Sequence, residues 1–396
     1  MARSSLPAHL FVSAGLVALL AAPALAQGGN QFPGAPSPEQ NKPAPTSTGE
    51  PNRAQVRLEQ VAAFEHQVTG VTVSRDGRIF VNFPRWTEDA PVSVAEVGQD
   101  GTLTPYPNEA LNAWRNAKAG QLKPEEHFVC VQSVVVDHRN HLWVVDTGAP
   151  GNERVLMNAA KLVEIDLATN KVVRMIPMDE SVATTGSYLN DIRFSPDGGH
   201  AYLTDSGNGA LIVVDLKTGK GRRVLDGHPS TQAETGVVVM SDGKELRRPD
   251  GRAPMFHADG IALTPDGKTL VWQALTGRTL YQVPTAALHD ARLSPAELGA
   301  KVERLGPSVV ADGLLIDRRG RLFVTSPEDN AVKVRGADGR LANVVQYETL
   351  RWPDTMAEGP DGTLYVTASH IQDSAWFKPE AGPQLRTQLF RFRPAD

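Results

Sequence analysis

The chain has 396 residues, 41% hydrophobic and 21% charged, with formal net charge −5, one cysteine and no basic run. That balance argues against nucleic acid and anionic membrane surfaces as partners, because both select clustered Lys and Arg. A lone cysteine excludes an internal disulfide, so stability has to come from packing.

In chain order, the first segment reads as an address. Arg3, an apolar run from Leu10 to Leu20 and Ala24-Leu25-Ala26 before Gln27 have the layout of a secretory signal peptide over residues 1–26. The run is shorter than the roughly 20 residues of a spanning helix, so no stable membrane insertion is expected once it is cleaved. Cleavage would remove Arg3 and no acidic residue, taking the formal charge from −5 to −6. Residues 27–52, rich in Pro, Gly, Ser, Thr and Gln, bury too little apolar surface to offset ordering entropy and read as a flexible leader. The expected location is secreted or periplasmic, and the oligomeric state is not readable.

From residue 53 to 396 one short pattern recurs six times. Thr69, Gln132, Asn190, Asp259, Asp312 and Asp354 each precede a turn residue by eight positions: Gly77, Asn140, Gly198, Gly267, Gly320 and Gly362. Two positions after each anchor stands an apolar residue, Val71, Val134, Ile192, Ile261, Leu314 or Met356. A second follows at the fourth position in five copies, the period of a half-buried strand, and Glu358 breaks the sixth. Gly and Asn accept positive φ, and an apolar stretch returns after each, so every copy predicts a hairpin. The anchors lie 63, 58, 69, 53 and 42 residues apart, room for about four short strands per unit. The predicted fold is therefore all-β, a six-bladed β-propeller with four-stranded antiparallel blades. Ring closure is expected from pairing of Gln388–Phe392 with the early segment around Val61 and Phe64, and long insertions are expected at 84–127 and 222–256.

A propeller brings equivalent positions into a ring, so the anchors should meet at one rim of the central channel. The ends of the returning strands, Asn82, Asp146, Asp205, Gln273, Ser326 and Ser369, are expected at the same rim with His257 and His370. Converging carboxylates without basic partners repel one another and raise their pKa values unless a cation joins them, and oxygen ligands suit Ca²⁺ or Mg²⁺. Asn190, Asp259 and Asp312 are the expected metal set. Gln132, Asp146, Asp205, His257, Gln273 and Asp354 are expected to bind a small-molecule ligand, with Asp259 and Asp312 as catalytic candidates. His138 and His141 fall in a predicted turn, Trp143 and Trp272 on predicted strands, and Cys130 reads as a buried thiol.

The segments LWVVDTG (142–148), YLNDIRFSPDGGHAYLTDSG (188–207) and FHADGIALTPDGKTLVWQALTGRTLY (256–281) resemble the major royal jelly protein/yellow family, and the resemblance runs from about residue 58 to 392. It implies a secreted six-bladed propeller, associated in that family with dopachrome conversion, amine binding or nutritional roles. Unlike the insect members, this chain has a single cysteine and no N-x-S/T sequon, which points to a bacterial origin. The repeat style is also similar to the gluconolactonase/regucalcin group, whose propellers hold one divalent cation with Glu, Asn and Asp. Asn190 and Asp259 match that pattern, while Thr69 stands where the Glu would be. Three functions follow: a propeller that binds a small polar or aromatic molecule, with isomerisation of the dopachrome tautomerase kind; a metal-dependent lactone hydrolase; or a non-catalytic binding scaffold.

Overall fold

A computed structural model describes residues 56–395, so the expected signal peptide and leader lie outside the described residues. Six four-stranded antiparallel sheets form the blades of a propeller, as the repeat predicts. In five blades the strands run in sequence from the channel outward: 71–105, 131–177, 189–224, 258–307 and 314–346. The sixth takes Pro353–Glu358, Leu364–Ala368 and Thr387–Phe392 from the end of the chain and Glu59–Phe64 from its beginning. Ala63 lies opposite Gln388 and Gln60 opposite Phe390, the expected ring closure. Phe64 carries the closure into the first blade, meeting Phe83 edge-to-face at 5.4 Å.

The eight-residue offset has a physical origin. All six turn residues have positive φ, from 63° at Asn140 to 83° at Gly77. The apolar residue two after each anchor is at most 4% exposed in every blade, a burial worth about 1.5–3 kcal/mol each. The core clusters span neighbouring blades: Trp143, Val145 and Leu162 of the second blade pack with Ile192, Leu203 and Ile212 of the third. Glu358, the exception, faces sideways and accepts the Arg318 backbone N–H at 2.8 Å from the preceding blade.

Threonine hydroxyls tie the inner strands together. Thr204 Oγ1 accepts from Asp191 N and donates to Asp259 O of the next blade at 2.6 Å. Thr367 Oγ1 accepts from Thr355 N and donates to Thr69 O at 2.6 Å, repeating the tie across the ring closure. This close approach is why glycine follows two of the anchors: a Cβ would lie 2.6 Å from the Asp312 carbonyl oxygen at Gly260 and 2.1 Å from the Asp354 carbonyl oxygen at Gly313.

The two expected insertions differ in kind. Residues 84–127 contain the two outer strands of the first blade, Val94–Val97 and Leu103–Pro105, so blade interrupts that insertion. Residues 225–257 do leave the blades, and carry a small hairpin of Met240–Ser241 and Lys244–Glu245. Val239 and Leu246 of this excursion pack with Leu275, Val310, Trp352 and Ile371 over the channel mouth. Among the described residues, no helix is long and apolar enough to cross a membrane.

Candidate functional site

Five of the six anchors line one chamber. Gln132, Asn190, Asp259, Asp312 and Asp354 surround a space of about 30 Å³ together with Tyr188 and Ser206. Thr69 does not join them: its hydroxyl donates to Gln132 O at 3.2 Å and accepts from Asn82 Nδ2 at 2.8 Å. The first anchor position is thus a tie between blades.

Side-chain bonds order the uncharged half of the chamber. Tyr188 donates to Gln132 Oε1 at 3.0 Å, Gln132 Nε2 reaches Asn190 Oδ1 at 3.4 Å, and Asn190 Nδ2 donates to Ser206 Oγ at 3.0 Å. The charged half has fewer partners. Trp352 Nε1 donates to Asp312 Oδ2 at 2.6 Å, Thr355 Oγ1 donates to Asp354 Oδ1 at 3.2 Å, and Asp354 Oδ2 is buried without a partner.

These carboxyls are hard to ionise. Burial first, then the charges of Asp312 and Asp354, pushes Asp259 well above the usual carboxylate range, and burial with the Asp312 charge does the same to Asp354. Burial raises Asp312 too, to about 6, against the Trp352 hydrogen bond and the one from Asp259, which favour its anion. The cluster therefore holds two carboxyls that resist ionisation beside one that ionises more readily, the kind of separation that acid–base sites use.

The chamber is closed at both ends. Beneath it, Arg193 of the third blade donates to Leu314 O of the fifth at 2.8 Å, crossing the channel, and pairs with Asp191 at 2.8 Å. Above it lie Trp86, Phe256 and Trp376, supplied by three different excursions. Trp86 and Trp376 have ring centroids 4.9 Å apart, and Trp86 Nε1 donates to the Tyr188 hydroxyl at 2.5 Å. Arg351 ties two cap segments, bonding Asp373 at 2.7 Å and Asp242 at 3.0 Å.

The other expected site residues lie outside this chamber. Asp146 accepts from Val129 N, Cys130 N and Gly148 N and pairs with Lys161 at 2.7 Å. Asp205 accepts from Tyr188 N and pairs with Arg223 at 2.7 Å. Gln273 Nε2 donates to Val309 O at 2.9 Å. All three sit where a returning strand meets a strand entry, so unpaired backbone groups capture them. His257 Nδ1 accepts from Ala233 N at 3.0 Å, and burial lowers its pKa, keeping the ring neutral. His370 Nε2 meets Gln388 Oε1 at 2.8 Å. Cys130 is buried, its thiol pushed up to about 12 by burial, and Trp143 and Trp272 are blade packing.

The residues of the expected cation set, Asn190, Asp259 and Asp312, line the chamber together. Among the described residues, the group of three His, Cys, Asp or Glu side chains with ligand atoms within 4.8 Å of one another is Asp137, His141 and Glu164, outside the chamber. The three chamber carboxylates do not gather so closely, and an indole N–H already points at Asp312. The outer group has the spacing for a metal ion, but arginines fill it: Glu164 bonds Arg139 at 2.5 Å and Arg174 at 2.6 Å, and Asp137 accepts from Trp143 Nε1 at 3.0 Å. It ties strands of the second blade together.

Fold and site together define a six-bladed propeller with an acid-lined, aromatically capped channel mouth. The chain belongs to the major royal jelly protein family, whose profile matches residues 129–375. Major royal jelly protein 5 of Apis mellifera is 27% identical over 221 residues, 53% of this chain and 34% of that protein. Protein yellow of Drosophila melanogaster is 26% identical over 158 residues, 37% of this chain and 28% of its own length. The alignments thus span about a third of these relatives. Among solved structures, a putative gluconolactonase superposes with TM-score 0.51 at 14% identity, covering 91% of this chain and 99% of that one. A gluconolactonase of Xanthomonas campestris gives 0.50 at 14%, covering 85% and 91%. At such identity the likeness is one of fold.

Proposed function

We propose that this chain is a secreted yellow-type propeller that admits a small polar aromatic molecule to the capped chamber and moves a proton on it, an isomerisation of the dopachrome tautomerase kind. The observation that carries this reading is the chamber itself: three buried carboxyls with no Lys or Arg in the lining, under a roof of Trp86, Phe256 and Trp376. The cap offers ring faces to a flat molecule. Asp312, the most readily ionised of the three, accepts a proton from the substrate, and neutral Asp259 beside it returns one at a second atom. Proton and charge balance without a further reactant. Gln132, Asn190 and Tyr188 orient polar substituents. Dopachrome turnover by the purified protein, measured with and without chelator, tests the reading; turnover that persists under chelation supports it, and none above background removes it.

A space of about 30 Å³ holds water and little more, whereas small-molecule sites run to roughly 300–1,000 Å³. Entry therefore requires the cap to lift. Asp373 is the hub of the closure, held far below the usual carboxylate range despite its burial by hydrogen bonds from His370, Arg351 and Lys378. Arg351→Gln is expected to raise acrylamide quenching of tryptophan emission, because Trp86 and Trp376 are partly exposed while the other four tryptophans are buried. It should also speed tryptic cleavage near Lys244 and Arg247. Unchanged quenching and cleavage would show that Arg351 does not hold the cap.

A further inference from the structure

Trp352 combines three features that packing alone does not explain. Its backbone has φ of 49°, in the left-handed region that bulky side chains avoid, and Pro353 follows, which restricts the preceding residue further. It is 1% exposed, with its ring in the apolar cluster beneath the cap. Its indole N–H reaches out of the sixth blade to a carboxylate of the fifth, Asp312 Oδ2 at 2.6 Å. Backbone strain of this kind persists only where surroundings over-determine it, and it concentrates at working sites.

We propose that Trp352 is a positioning residue for proton transfer in the chamber: its indole N–H binds one oxygen of Asp312, so that the other faces the substrate space as the proton acceptor. This rests on the proton-transfer reading above. Three carboxyls line the chamber, and the other two lack an indole donor: Asp354 accepts the Thr355 hydroxyl at a longer 3.2 Å and keeps one buried oxygen with no partner, and Asp259 is hydrogen-bonded to Asp312. Asp191, the next carboxylate down the channel, is committed to Arg193. The strained backbone aims the indole at one member of the set. Phenylalanine would keep the packing and remove the donor.

A double-mutant cycle on stability tests the contact without any substrate. Trp352→Phe, Asp312→Asn and the double variant are unfolded in guanidinium at constant pH. A hydrogen bond to a charged partner predicts a coupling of about ten-fold or more in the unfolding equilibrium, whereas additive effects within about two-fold overturn the proposal. If Trp352→Phe does not fold, the indole N–H proton resonance of Trp352 is compared between wild type and Asp312→Asn. It should move on substitution, and a fixed resonance overturns the proposal.

Dopachrome turnover separates this inference from the reading beneath it. Trp352→Phe is expected to lower kcat by about ten-fold or more with KM little changed, because orientation fails while binding remains. Stability coupling in a protein that turns over nothing would sink the functional reading and leave the contact standing. Turnover with kcat unaltered in Trp352→Phe would sink the positioning role alone.

Discussion

Asp312→Asn is expected to raise the stability of the folded chain above neutral pH. In the wild type, burial lifts the Asp312 carboxyl from 3.8 to about 6. A raised carboxyl contributes stability that is fully present below the unfolded value and is lost as pH rises through the folded one. The wild type should therefore weaken between about pH 4 and pH 7, and the amide, which does not titrate, should not follow. The variant should therefore be the more stable protein at pH 8, with the difference shrinking towards zero near pH 4. Asp259 and Asp354 are raised in the same direction, so a slope persists in the variant. Thermal unfolding from pH 4 to 8 measures this as several degrees of Tm. A variant less stable than wild type at pH 8 would show that the Asp312 anion is stabilised by the fold.

Lys161→Met is expected to do the reverse. Asp146 is fully buried, and among the described residues Lys161 is the cation that pairs with it, 2.7 Å away. The same ammonium holds Ala159 O at 2.9 Å and Pro124 O at 3.0 Å, which anchors the loop leading into the second blade. Removing it strands a buried carboxylate, a loss of about 3–5 kcal/mol in guanidinium unfolding. The Asp146→Asn/Lys161→Met double variant should recover part of that loss, because the uncompensated charge is gone. A single variant within about 0.5 kcal/mol of wild type would place Asp146 in contact with solvent or another cation.

The contrast between Asp312 and Asp146 shows what the sequence could convey. Both were legible as carboxylates expected near one rim, Asp312 because a fixed offset of eight to a positive-φ turn sets its strand register and Asp146 because a hairpin returns to the end where it began. Which of them stays free was not legible. Asp146 ends a returning strand opposite Val131, where incoming backbone N–H groups and Lys161 converge on it. Asp312 begins an inner strand, and among the described residues its side chain meets an indole and other acids. The cap was also hidden: Trp86, Phe256 and Trp376 lie in excursions that share no period with the blades, and only the folded chain brings them together. Their signal was at most the placement of aromatics in otherwise polar loops.

The most direct test of the account is dopachrome turnover by wild type and Asp312→Asn, with chelator present throughout. A proton acceptor at Asp312 predicts turnover above the spontaneous rate in the wild type and a loss of about 10²–10⁴-fold in the variant, while the variant remains folded and more stable at pH 8. Turnover that survives the substitution, or no turnover in either protein, would contradict it.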